Sequence, residues 1–263
     1  MPRFGEKRRR FISTKRKEGQ ISARLVRVER VLRAGREVKV ARLSGEKNVG
    51  HSILQANLIN LMPDIPNNGD LAVGTNDGAG RDGNEVRLKK LMIKSWIQYA
   101  PGDVNNRVAR DQANVMARHL IIRQKDQLSS AGLILTAGMF VSDELLESGE
   151  FNQGNEFRNI MSPVNRDIFT VKSDRKKSIT NAVDTSDPNS DAEANPHNFV
   201  VFNKTITFGK MGKKLTFSKD SGVVQPVQFP WVMAAGYCNT NGTVAANNAA
   251  RIFYDVTAFY TDA

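Results

Sequence analysis

The chain's excess positive charge is confined to its first 42 residues, and a segment so charged cannot contribute to a packed core. Residues 1–42 hold eleven Arg and four Lys against four Glu, a balance of +11 that equals the net charge of the whole 263-residue chain. The other 221 residues carry 23 basic and 23 acidic side chains. The sequence therefore reads as a basic arm, 1–42, followed by an electrically balanced domain, 43–263. Within the arm, PRFGEKRRRFISTKRKEG (2–19) has two basic clusters and few large apolar residues. It cannot offset its own ordering entropy, and residues 1–19 are expected to be disordered. Residues 20–34, QISARLVRVERVLRA, differ. Ile21, Leu25, Val28 and Leu32 recur at the spacing of one helical stripe, Arg24, Arg27, Arg30 and Arg33 flank it, and Gly35 can end it. A helix this short and charged is marginal alone, so it needs a partner: copies of itself along the apolar stripe, or a polyanion.

Beyond the arm, short apolar runs alternate with turn-rich loops. GHSILQANLINL (50–61) suggests a first strand, and the Pro-, Gly-, Asn- and Asp-dense stretch 63–84 a long loop. In EVRLKKLMIKSWIQYA (85–100), Val86 and Leu88 alternate with polar residues, then Leu91, Ile93, Ile97 and Tyr99 alternate in the opposite parity. That slip predicts a long strand with a bulge near Lys89–Lys90. In 113–127, Met116, Leu120 and Ile122 share one face, broken by Arg118, with His119 on the other. VSDELLESG (141–149) reads as a short helix between Ser142 and Gly149. Further strand signals lie at 166–172, 199–208, 213–218, 226–238 and 251–260. About eight strands with long loops and little helix describe an all-β domain, a single eight-stranded jelly roll or β-sandwich.

Motifs for catalysis are missing. There is no phosphate-binding GxxxxGK[ST] loop, no GxSxG elbow, and no close pairing among His51, His119 and His197. Cys238 is the only cysteine, which rules out an intrachain disulfide. No enzymatic activity is expected. No apolar stretch approaches the roughly 18–20 residues of a bilayer span, and no apolar segment follows the basic start as a secretory signal requires, so no membrane partner is expected.

The arm's chemistry points to nucleic acid. Arg3, Lys7, Arg8, Arg9, Arg10, Lys15, Arg16 and Lys17, with Arg24, Arg27, Arg30 and Arg33 of the helix, can neutralise phosphates and release condensed counterions. Nothing in them distinguishes single-stranded DNA from RNA. The KRRR and KRK clusters also resemble a bipartite nuclear-import signal, which would place the chain in a host cell nucleus. A cellular nucleic-acid-binding protein with a basic tail is the alternative reading, but such proteins usually carry positive charge on the folded domain too.

A disordered basic arm, an amphipathic basic helix and a balanced jelly roll together resemble the coat proteins of small icosahedral viruses. GNEVRLKKLMIKSWI (83–97) is similar to a stretch of the satellite tobacco necrosis virus coat-protein family that leads into a long strand, and the end FYDVTAFYTDA (253–263) is similar to that family's terminus. RHLIIRQKD (118–126) and RDIFTVKSDRKKSI (166–179) fit the strands that follow. The same patterns resemble capsid proteins of circular, Rep-encoding single-stranded DNA viruses. The resemblance spans roughly 20–263, with added length at 63–82 and 181–197. It implies a viral capsid protein of the virion: a homo-oligomer of about sixty copies in an icosahedral T=1 shell around a single-stranded DNA or RNA genome. It further implies that the helix at 20–34 packs against its copies through Ile21, Leu25, Val28 and Leu32. No cofactor is implied beyond calcium between subunits, with Asp262 as a ligand.

Overall fold

A computed structural model describes residues 38–68, 80–99, 114–180, 199–219, 222–240 and 250–262. The arm residues named above, the helix stripe included, lie outside the described residues. The chain divides between Val38 and Lys39, and Lys39–Ala263 is one compact unit. Its first strand, β1, is Lys39–Val49, so Lys39–Arg42 form part of the sheet rather than of the arm. Counted from Lys39, the domain carries a net charge of +2.

Eight further strands follow: β2 (Ile59–Asn60), β3 (Glu85–Tyr99), β4 (Asn114–Gln124), β5 (Phe169–Thr180), β6 (Phe199–Thr207), β7 (Lys213–Thr216), β8 (Val232–Asn239) and β9 (Ala250–Asp262). They form two antiparallel sheets, ordered β1-β9-β3-β6, with β7 also on β3, and β2-β8-β4-β5. β6 pairs with residues 90–98 of β3 and β7 with residues 85–88, so the two act as one interrupted strand along a single edge. Counted that way there are eight strand positions, and first pairs with last, second with seventh, third with sixth and fourth with fifth. Such nested pairing is one long antiparallel hairpin wound into two facing sheets, which makes the domain a jelly roll.

The bulge expected in β3 is present as a register shift between Leu88 and Lys90. It coincides with the break between β6 and β7, where Phe208 donates its amide to the Lys89 carbonyl. Gly212 closes the connecting turn at φ +74, and a Cβ there would stand 2.8 Å from the Leu88 carbonyl oxygen. Only glycine fits that close approach.

Four expected elements differ, one of them the strand expected at 226–238, which begins only at Val232. Residues 50–61 yield only the two-residue β2 and a 3-10 turn, Gln55–Asn57, because Ile53, Leu54, Leu58 and Leu61 do not alternate at period two. Gln55 instead donates its side-chain amide to the Leu133 and Ile134 carbonyls. The helix expected at 141–149 is a tight reversal in which Leu146 and Gly149 exchange backbone hydrogen bonds. Six-residue helices lie on either side of it, at Ser130–Leu135 and Glu156–Met161. The strand expected at 166–172 begins at Phe169 and runs on through the charged KSDRKKSIT to Thr180.

Two cores explain the burial pattern. The larger fills the space between the sheets and includes Leu91, Ile93, Ile97, Val115, Ile121, Met233, Val256 and Tyr260. The second lies on the outer face of β8 and β4, where Val232, Ala234, Leu120 and Ile122 pack under Leu133, Phe140, Leu145, Leu146 and Phe151. All eight residues of β8 are buried, which accounts for its unbroken apolar run. At Gly236 a Cβ would meet the Phe151 ring at 2.5 Å, so glycine lets the covering segment settle onto the sheet. No described segment covers the outer face of the other sheet in this way.

Candidate nucleic-acid interface

In the folded domain, cationic side chains concentrate on strands. β5 exposes Lys172, Arg175, Lys176 and Lys177 against a single acid, Asp174. Both oxygens of that acid are already held by buried Arg118, at 3.0 Å from Nε and 2.6 Å from Nη2. Arg175 and Lys177 reach to the free edge of β6 and donate to the Asn203 and Val201 carbonyls. Capping these carbonyls blunts an edge that could otherwise recruit a foreign strand. Lys177 also lies over the Phe202 ring, and Lys172 and Arg123 over Trp231. Burial, followed by the charge of Arg118, lowers the Lys176 pKa below the usual lysine value. The domain-wide charge count averages this ridge away. The run KSDRKK was its visible sign, and its exposure follows from the edge position of β5.

Asp262, expected to bind calcium, is engaged within the chain. Lys39 Nζ lies 2.7 Å from its Oδ2, 3.1 Å from Asp82 Oδ2 and 2.9 Å from the Gly80 carbonyl. The Asp82 amide donates to Asp262 Oδ1 at 3.2 Å. Burial works against the charged form of Lys39, but the two carboxylates together outweigh it and raise its pKa. A tethered ammonium thus stands among the oxygens that a divalent ion would use, so the residues do not fit calcium without displacing Lys39. No group of three or more His, Cys, Asp and Glu suited to a metal occurs among the described residues.

Cys238 and His119 are both buried in the domain. Burial, followed by the negative charge of Glu156, pushes the Cys238 thiol up to about 12, which keeps it protonated. His119 lies between the sheets, stacked on Phe202 at 4.8 Å, with Nε2 3.2 Å from Ser95 Oγ. Burial, helped by Arg175, lowers its pKa to about 4. An unfolded histidine titrates near 6.5, so the folded domain resists protonation that the unfolded chain accepts. Stability is then complete above pH 6.5 and falls as the pH drops from 6.5 toward 4, by up to about 3 kcal/mol from this residue. Thermal melts at pH 7 and pH 4.5 should show a smaller drop for His119→Gln than for the native chain. Equal drops would show that His119 does not contribute.

No helix among the described residues is long and apolar enough to cross a membrane. No family model matches the chain, and no curated protein matches its sequence. Among solved structures, Merkel cell polyomavirus VP1 in complex with GD1a oligosaccharide is similar at 11% identity and a TM-score of 0.12, over 86% of this chain and 78% of that one. The jelly-roll assignment rests on the strand order.

Proposed function

We propose that the chain is a viral coat protein whose jelly-roll domains assemble into a closed icosahedral shell and whose basic arm packages the genome. The observation that carries this reading is the separation of charge: +11 within residues 1–42 of a chain whose total is +11, joined to a jelly roll. A nearly balanced domain can pack against its own copies without mutual repulsion, while the arms hold a polyanion. With about sixty copies, arms of +9 each over residues 1–38 would supply roughly 540 positive charges, the order needed to neutralise part of a genome of one to a few thousand nucleotides.

Exposed apolar side chains support assembly. Phe157 and Met161, one turn apart on Glu156–Met161, are 72% and 62% exposed. Leu128 and Leu135 are also largely exposed. A lone soluble chain gains nothing from leaving such groups in water, whereas contact between copies would bury them.

The test is nuclease protection. Nucleic acid co-purifying with the chain should resist DNase and RNase until the particle is dissociated, and one enzyme should then degrade it. Complete digestion without dissociation would count against enclosure.

A further inference from the structure

We infer a second nucleic-acid contact, separate from the arm: the outer face of the β1-β9-β3-β6 sheet, centred on Trp96, is a stacking platform for bases of single-stranded nucleic acid. This rests on the packaging role proposed above and names a site within the folded domain.

Pairing registers place the residues. Trp96 lies directly across from Phe253 on β9 and Val201 on β6. Its ring stacks on Phe253 with centroids 5.1 Å apart and planes 22° apart. Trp96 remains 45% exposed, and Phe199, diagonal to it on β6, 46%. The other tryptophan, Trp231, is buried. A tryptophan held flat by an aromatic neighbour, with almost half its surface in water, offers the π face on which a base stacks. Sheets that present aromatics in this manner bind unpaired bases.

Charge favours the same ligand. Lys94 and Arg251 occupy the rows on either side of Trp96, and Lys177 sits at the Val201 carbonyl across from it. By register, the face carries Arg42, Arg87, Lys90, Lys94, Lys214 and Arg251 against Glu46, Glu85 and Asp255, a balance of +3. Lys214 already holds Glu85 at 2.7 Å. Between these groups lie Asn203, Thr205, Thr207 and Thr257, which are polar and uncharged. A second copy meeting this face through its own would bring like charge to like. A strand of phosphates and bases satisfies both the cations and the rings.

The experiment uses the full-length chain and compares a 30-nucleotide oligo(dT), an oligo(U) of the same length and an abasic 30-mer. The arm binds all three through phosphate, whereas the platform binds only those with bases. The native chain should bind at least one base-bearing oligomer roughly tenfold more tightly than the abasic one, since one stacked base is worth about that factor. Trp96→Ala should erase the preference and leave abasic binding unchanged. Trp96→Phe, which keeps a π face, should retain it. The same oligomer should quench native fluorescence and leave the Trp96→Phe signal unchanged, a readout that holds even if Trp96→Ala does not fold. An unchanged preference in Trp96→Ala, or absent quenching, would overturn the platform and leave the arm's role standing. A change in sedimentation without a change in base preference would assign the face to contact between copies and also overturn it. Failure of the native chain to bind even the abasic oligomer would instead remove the packaging role.

Discussion

Replacing Arg118 with Ala is expected to destabilise the domain by about 3 kcal/mol, the lower end of the range for breaking a buried ion pair, because Arg118 is buried whereas its partner Asp174 reaches solvent. The guanidinium is 1% exposed and grips both oxygens of Asp174, and its third nitrogen donates to the Asn159 carbonyl at 2.6 Å. Asn159 in turn donates to the Asn152 carbonyl, and Glu156 on the same helix accepts the Asn239 amide at 3.2 Å. Arg118 therefore ties β4, β5 and the helix Glu156–Met161 together on the outer face of the β8-bearing sheet. Alanine would leave a cavity and strip the Asn159 carbonyl of this donor. For a domain of this size the loss corresponds to a fall in Tm of about 10 °C. Arg118→Lys should recover little, because an ammonium cannot present the guanidinium's fork of donors. Denaturant melts of both variants measure the effect, and a loss below about 1 kcal/mol would show that the network is not structural.

The other large effect concerns the arm. Deleting residues 1–19 removes eight cationic side chains from Arg3 to Lys17. On single strands the logarithm of affinity falls with the logarithm of salt by about 0.7 per neutralised phosphate, so the deletion should flatten that slope by up to about 6. At moderate salt the affinity for a 30-nucleotide strand should fall at least about a thousandfold. Circular dichroism of the β domain should not change, because the deleted residues precede Lys39, where the compact domain begins. An unaltered slope would remove residues 1–19 from the nucleic-acid contact. Loss of the β signal would make them part of the fold.

The jelly roll was legible because its longest strands alternate. The two parities of β3 located even its bulge, and Ile252, Val256, Ala258 and Tyr260 on β9 are buried on one face as their spacing indicates. β1 was hidden by charge: Lys39, Arg42, Glu46 and Lys47 obscure its short inward set of Ala41, Leu43 and Val49. The covering segment misled for another reason. Its leucines follow no single period, since Leu145 and Leu146 are both buried in a tight reversal that neither helix nor strand periodicity describes. Arg118 looked like an interruption of an apolar face because its partner, Asp174, is 56 residues away in sequence. The run KSDRKK hinted at the β5 ridge, but its exposure and the Trp96 face became visible only with strand pairing, since each depends on which strands lie at an edge and which sheet face no described segment covers. Asp262 shows the converse: the resemblance implies a calcium ligand between subunits, whereas within the chain its carboxylate is paired with Lys39, from the far end of the domain.

Assembly can be tested in one measurement: negative-stain microscopy of the full-length chain purified at low and high salt. Closed shells of uniform diameter are predicted in preparations that retain nucleic acid. Monomers or small oligomers at every salt concentration, with nucleic acid bound but not enclosed, would contradict a shell-forming coat protein.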